Sequence, residues 1–113
     1  TDDIREAPAL VIIDNLVKNG AKVNAFDPEA MDQVRKYTQL NVNLAANQYA
    51  ALENADALII ITEWTEFRSP DFDKIKSMLK SPVIFDGRNI FDVSKMKEEG
   101  FYYESIGRTT VTN

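Results

Sequence analysis

Apolar residues recur at Ala9, Leu10, Ile13, Leu16 and Val17, a spacing that lines one face of a helix. Pro8 suits the first turn of that helix and Gly20 its stop. "AKVNAFDP" (21–28) alternates like a strand and closes on Asp27-Pro28, residues 29–38 read as a short polar helix, and "LNVNLA" (40–45) as a weak strand. "QYAALENA" (48–55) places Tyr49, Leu52 and Ala55 at helical spacing. "ALIIIT" (57–62) is a continuous apolar, β-branched run, as expected of a strand covered on both faces. A helix with Phe72, Ile75, Met78 and Leu79 on its inner face leads to a second buried strand, "PVIFDG" (82–87). "VSKMKEEG" (93–100) predicts a short helix with Gly100 past its end, "FYYESIG" a last strand, and "RTTVTN" a polar tail.

Strands alternating with helices of about ten residues predict an α/β fold, a Rossmann-like three-layer sandwich with a mainly parallel sheet. The pattern opens on a helix, yet the preceding "TDDIRE" reads as a βα loop. The expectation is therefore a sheet lacking its first strand, which would stand before Thr1. Open strand edges recruit other chains, so self-association of such a fragment is expected.

Composition narrows the chemistry. At 113 residues the chain is long enough for one hydrophobic core. It holds no cysteine and no histidine, which excludes disulfides, thiolate nucleophiles, imidazole acid–base work and every common zinc set except carboxylates. A net charge of −5 argues against nucleic acid or an anionic membrane as partner, while leaving room for one small anion at a local basic spot. No apolar run approaches a membrane span, and the acidic start resembles neither a secretory signal nor a transit peptide. A cytoplasmic location is the matching expectation.

In an open parallel sheet, ligands bind beyond the carboxyl ends of the strands. The polar residues expected there are Asp2, Asp3, Arg5 and Glu6, then Asp27, Thr62-Glu63-Trp64 and Asp86-Gly87-Arg88. Arg5, just ahead of a helix with unpaired first amides, would favour a phosphate or carboxylate; equally, it could pair with a neighbouring acid. Gly87 would let the chain turn and aim Arg88 across the sheet edge, where a guanidinium fork could grip a diphosphate at about 1.5–3 kcal/mol per charged hydrogen bond. Asp86 could hold that fork or cap the turn. Residue types alone slightly favour a surface Arg–Asp pair of about 0–1 kcal/mol. Asp27 sits where dinucleotide folds read a ribose, but G-x-G-x-x-G is absent and Asp-Pro is an ordinary turn. Glu63-Trp64 could stack a base, though packing is the commoner role of such a Trp. Asp71 and Asp73 suit a helix start, and "KMKEE" a solvated face. A phosphoacceptor receiver domain is rejected, since the buried strands end in Thr62 and Asp86 with no Lys at either site.

Taken together, "TDDIREAPAL", "VNAFDP", "DALIIITEW", "VIFDGRN" and "YYESIGR" resemble, in order and spacing, the carboxyl-terminal domain of UDP-glucose 6-dehydrogenases. The resemblance covers residues 1–108, the implied UDP-sugar-binding domain, and leaves 109–113 as tail. It implies a parent enzyme that oxidises UDP-glucose to UDP-glucuronate with two NAD+, through a catalytic Cys held, like the NAD-binding domain, outside this chain. The partners implied are UDP-glucose or a related nucleotide sugar and the remaining domains of the same enzyme, with the parent a homodimer or larger. Arg88 matches the Arg of the DGR motif that contacts the UDP-sugar, and Arg5 matches the Arg of TDD-x-R-E that reaches the NAD side. The pattern departs from many relatives at Ala7, where they carry Ser, and in the absent Phe-Lys before "TDD". Alternatives are a dehydrogenase for UDP-N-acetyl-hexosamine or GDP-mannose, and a non-catalytic α/β assembly module with Trp64, Phe67 and Phe91 at an interface.

Overall fold

The structure, a computed structural model, describes residues 3–28 and 42–113, with side chains from Ala9 onward in the first stretch. The helix expected over 29–38 lies outside the described residues. The chain divides into two compact units, residues 1–51 and 52–113, and each is described by itself.

In the first unit, helix α1 spans Asp3–Lys18. It begins ahead of the expected start, so the stretch around Arg5 is helical rather than a loop. Pro8 then lies inside the helix, where it forgoes one backbone bond, to the carbonyl of Ile4. The end falls where Gly20 predicts it. Gly20 takes φ +93°, its amide bonds the Val17 carbonyl at 3.0 Å, and the Ala21 amide closes on Leu16 at 3.0 Å. Ile13 is the buried point of the apolar face. Strands β1 (Val23–Ala25) and β2 (Val42–Leu44) pair in parallel, Val23 opposite Val42. Asn43 Nδ2 donates to Asn24 Oδ1 across the pair at 3.1 Å.

Residues 48–55 make only a 3-10 turn, Ala50–Leu52, in place of the expected helix. Asn47 Oδ1 accepts from the Ala50 amide at 2.8 Å to start it, and Asn54 at φ 58° breaks any continuation.

The second unit holds a four-stranded sheet in the order β3-β4-β5-β6: Leu58–Ile60, Val83–Asp86, Tyr102–Ser105 and Val111–Thr112. The first three strands are parallel, and β6 is antiparallel to β5 with Val111 opposite Tyr103. The expected polar tail is thus a strand, and its one apolar residue, Val111, is buried. Helices α2 (Phe72–Met78) and α3 (Val93–Glu99) supply Ile75 and Met96 to a core shared with Ile84, Phe101 and Tyr103. Phe72 stacks edge-on against Phe91 and Phe101, with ring centroids 5.1 and 6.0 Å apart. Both helices are capped as their sequences suggest. Asp71 accepts from the Lys74 amide and Asp92 from the Lys95 amide, each at 3.1 Å, and Gly100 ends α3 in the left-handed region.

Strand β3 was expected to be covered on both faces. Instead Ile59 and its register partner Phe85 are 39% and 37% exposed, so burial alternates along β3 and β4. Among the described residues, β3 pairs only with β4, and β1 only with β2. Such edges offer unpaired amides and carbonyls to another strand. The isolated chain is therefore expected to self-associate with rising concentration in analytical sedimentation; a single monomeric boundary at high concentration would contradict this.

Candidate functional site at the carboxyl ends of β3 and β4

Alternation along β4 sends Ile84 and Asp86 inward, so the strand ends on a carboxylate with 1% exposure. Burying a charge is costly unless it is hydrogen-bonded, and Asp86 is fully engaged. Its Oδ1 accepts from the Arg88 amide at 3.0 Å. Its Oδ2 accepts from the amides of Ile90 at 2.9 Å and Phe91 at 3.1 Å, and from the Tyr103 hydroxyl at 2.5 Å. One buried side chain thus fastens the whole turn that carries Arg88.

The Tyr103 hydroxyl also accepts from Arg108 Nη2 at 2.6 Å, while Arg108 Nε donates to Ser105 Oγ at 2.9 Å. The Arg108 guanidinium lies 5.6 Å from the Tyr103 ring centroid. Burial, then the bond to the Asp86 carboxylate, pushes the Tyr103 phenol well above the ordinary tyrosine range, with Arg108 pulling the other way.

Gly87 serves the turn differently from the expectation. It does not adopt a left-handed conformation; its amide donates to the Ile60 carbonyl at 2.8 Å, and a Cβ there would stand 3.1 Å from that same oxygen. Close approach to β3 is what the missing side chain permits. The left-handed residue is Asn89, at φ 53°. Its Oδ1 accepts from the Ile106 amide at 2.8 Å and its Nδ2 donates to the Ile106 carbonyl at 2.9 Å. The Arg88 turn is thereby tied to the turn after β5 as well.

Arg88 projects from this fastened turn with its side chain 46% exposed. Asp86 caps the turn through the backbone, and the guanidinium finds its acid elsewhere: Nη2 lies 3.3 Å from Glu63 Oε1. The other Glu63 oxygen is held by Arg68, which closes the 3-10 turn Thr65–Phe67 through its amide, 3.1 Å from the Thr65 carbonyl. Two guanidinium groups therefore share one carboxylate at the carboxyl ends of β3 and β4.

Of the residues expected at the ligand edge, Glu63 and Arg88 meet directly, with Asp86 beneath them. Trp64 is half-buried at the start of the 3-10 turn. Arg5 lies in the first turn of α1 and Asp27 is buried beyond β1, both in the first unit; Asp2 is outside the described residues. Sequence reasoning missed Arg68 and the Tyr103–Arg108 link. The signal present was weak: an Arg five residues beyond Glu63, and a Tyr facing inward on β5.

Fold and site together define a Rossmann-like α/β domain with an arginine-bearing turn at the ends of its parallel strands. The chain belongs to the UDP-glucose/GDP-mannose dehydrogenase family, whose UDP binding domain is matched by residues 1–93. It is 44% identical over 113 residues to a UDP-glucose 6-dehydrogenase of Pseudomonas aeruginosa, covering 96% of this chain and 25% of that protein. A UDP-glucose 6-dehydrogenase of Rhizobium meliloti is 45% identical over 108 residues, covering 96% of this chain and 24% of that one. The crystal structure of an NDP-N-acetyl-D-galactosaminuronic acid dehydrogenase from Methanosarcina mazei Go1 superposes with TM-score 0.76 at 30% identity, over 95% of this chain and 22% of that one. The chain thus spans about a quarter of the length of the curated relatives it matches.

Proposed function

We propose that this chain is the UDP-binding part of a UDP-glucose 6-dehydrogenase, and that Arg88 grips the UDP portion of the substrate. The observation that carries the reading is the Arg88 turn, fixed from beneath by buried Asp86 while its guanidinium remains accessible. With the backbone of the turn fixed in advance, only the Arg88 side chain has to be ordered on binding a diphosphate, so its hydrogen bonds count more fully. The parent would oxidise UDP-glucose to UDP-glucuronate, with two NAD+ accepting the hydrides. With no Cys and no G-x-G-x-x-G in this chain, the nucleophile and the dinucleotide fingerprint belong to its other domains. What this chain offers the cofactor side is the first turn of α1, whose amides lack intrahelical carbonyl partners, with Arg5 in the same turn.

No helix among the described residues is long and apolar enough to cross a membrane. We assign the parent to the cytoplasm, as a homodimer or larger assembly. The 30% identity to an N-acetyl-hexosaminuronate enzyme supports a second reading, a different sugar on the same nucleotide-binding site.

Arg88→Ala in the parent is expected to raise the UDP-glucose KM about ten- to a hundredfold, from the loss of one or two charged hydrogen bonds. A rise in KM alone marks uniform binding; a matching fall in kcat marks a role in orientation. Unchanged KM and kcat would overturn the assignment.

A further inference from the structure

The acid between the two arginines carries the site further. We infer that Glu63 is a displaceable placeholder for the anionic ligand and that Arg68 is a second ligand-binding arginine. The inference rests on the proposed role of Arg88.

Glu63 presents one oxygen to Arg68 and the other, at 3.3 Å, to Arg88. A carboxylate bridging two forks mimics a diphosphate, which likewise offers separate oxygens to separate donors. The triad of two guanidinium groups and one carboxylate carries a net charge of +1, so one positive charge remains unmatched by the cluster's own groups. All three side chains are 36–48% exposed, and ion pairs at that exposure are weak enough to exchange for a stronger anion. UDP carries more charge and more acceptor oxygens than Glu63, and displacing the carboxylate would free both guanidinium groups at once.

The geometry also suits motion of Glu63 rather than of Arg88. The Arg88 backbone is fastened through Asp86, and the adjoining Asn89 is tied to Ile106. Glu63 stands three residues past the end of β3, ahead of a single 3-10 turn. A rotamer change of Glu63 opens the site while the Arg88 turn stays in place. Arg68, at the close of the 3-10 turn, then reaches the ligand from the β3 side as Arg88 does from the β4 side.

Calorimetric titration of the full-length parent with UDP tests this, using Glu63→Gln, Arg68→Gln, Arg68→Lys, Arg88→Ala and the Glu63→Gln/Arg68→Gln pair. Glu63→Gln is expected to tighten UDP binding about three- to fivefold, by removing the competitor. Arg68→Gln is expected to weaken it about tenfold, and Arg68→Lys to recover part of the loss as a point charge. In the double variant the gain from Glu63→Gln should shrink, since one of the two liberated forks is gone. Weaker binding in Glu63→Gln would make Glu63 a strut for Arg88 and overturn the placeholder. Unchanged binding in Arg68→Gln would overturn the second arginine. If instead Arg88→Ala leaves UDP binding intact, the proposed binding role fails; if only the Glu63 and Arg68 variants are silent, that role stands and this inference alone falls.

Discussion

Asp86→Ala is expected to destabilise the second unit by about 3–5 kcal/mol, on a par with truncating one of its fully buried apolar side chains. The substitution strands three donors, the amides of Arg88, Ile90 and Phe91, and leaves the Tyr103 hydroxyl only its longer bond to the Phe91 carbonyl at 3.1 Å. Phe91 and Tyr103 are themselves buried, so water cannot readily replace the lost acceptor. Each orphaned group costs about 1–3 kcal/mol, and their shared acceptor makes the losses less than additive. Asp86→Asn separates stability from aiming. An amide oxygen placed at the Oδ2 position keeps three donors satisfied, which turns the NH2 towards the Arg88 amide, donor against donor. The expected result is a smaller loss of about 1–3 kcal/mol together with a raised UDP-glucose KM in the parent. Urea unfolding followed at Trp64, the single tryptophan, measures the first; steady-state kinetics measure the second. Equal stability of Asp86→Ala and the natural chain would show that the hub carries no weight.

How much of this was legible in advance depends on the distance over which each feature is decided. The β4 strand, the helix caps at Asp71 and the stop at Gly100 are local, settled by residues within one turn, and the sequence displays them openly. Chain order likewise placed the Arg88 turn beyond the carboxyl end of a parallel strand, β4. What the turn is built from was hidden. Asp86 is joined to Tyr103 across 17 residues and Arg88 to Glu63 across 25, and no periodicity encodes a partner at such separations. The reading of Gly87 failed for the same reason, because the atom it avoids, the Ile60 carbonyl, belongs to another strand. Strand β6 escaped notice because one buried valine in "RTTVTN" gives no alternation to detect, whereas its pairing with β5 is a property of the sheet. The start of α1 was misplaced because Pro8 favours a first turn without requiring one.

Stability should fall in alkali, and Tyr103 should account for an identifiable part of the fall. Burial and the Asp86 carboxylate hold the native phenol protonated far above its ordinary range. The unfolded phenol loses its proton near pH 10. Above that pH the unfolded state therefore binds fewer protons than the native state, and stability declines as pH rises, by up to about 1.4 kcal/mol per pH unit for this one group. The stabilisation is fully present below about pH 10 and is lost progressively towards the raised native value. Tyr103→Phe removes the titrating group. At neutral pH it should cost about 1–2 kcal/mol, since Asp86 loses a donor and Arg108 Nη2 an acceptor. Between pH 9 and 11 the difference between the two proteins should then shrink by about 1.4 kcal/mol, because only the natural chain carries the penalty. Tyr102 and Lys95, also shifted upwards by neighbouring Glu104 and Glu99, are common to both and cancel in the difference. Urea midpoints that stay parallel over that range would mean that the Tyr103 hydroxyl ionises as freely in the fold as outside it, and that Asp86 is held by its backbone amides alone.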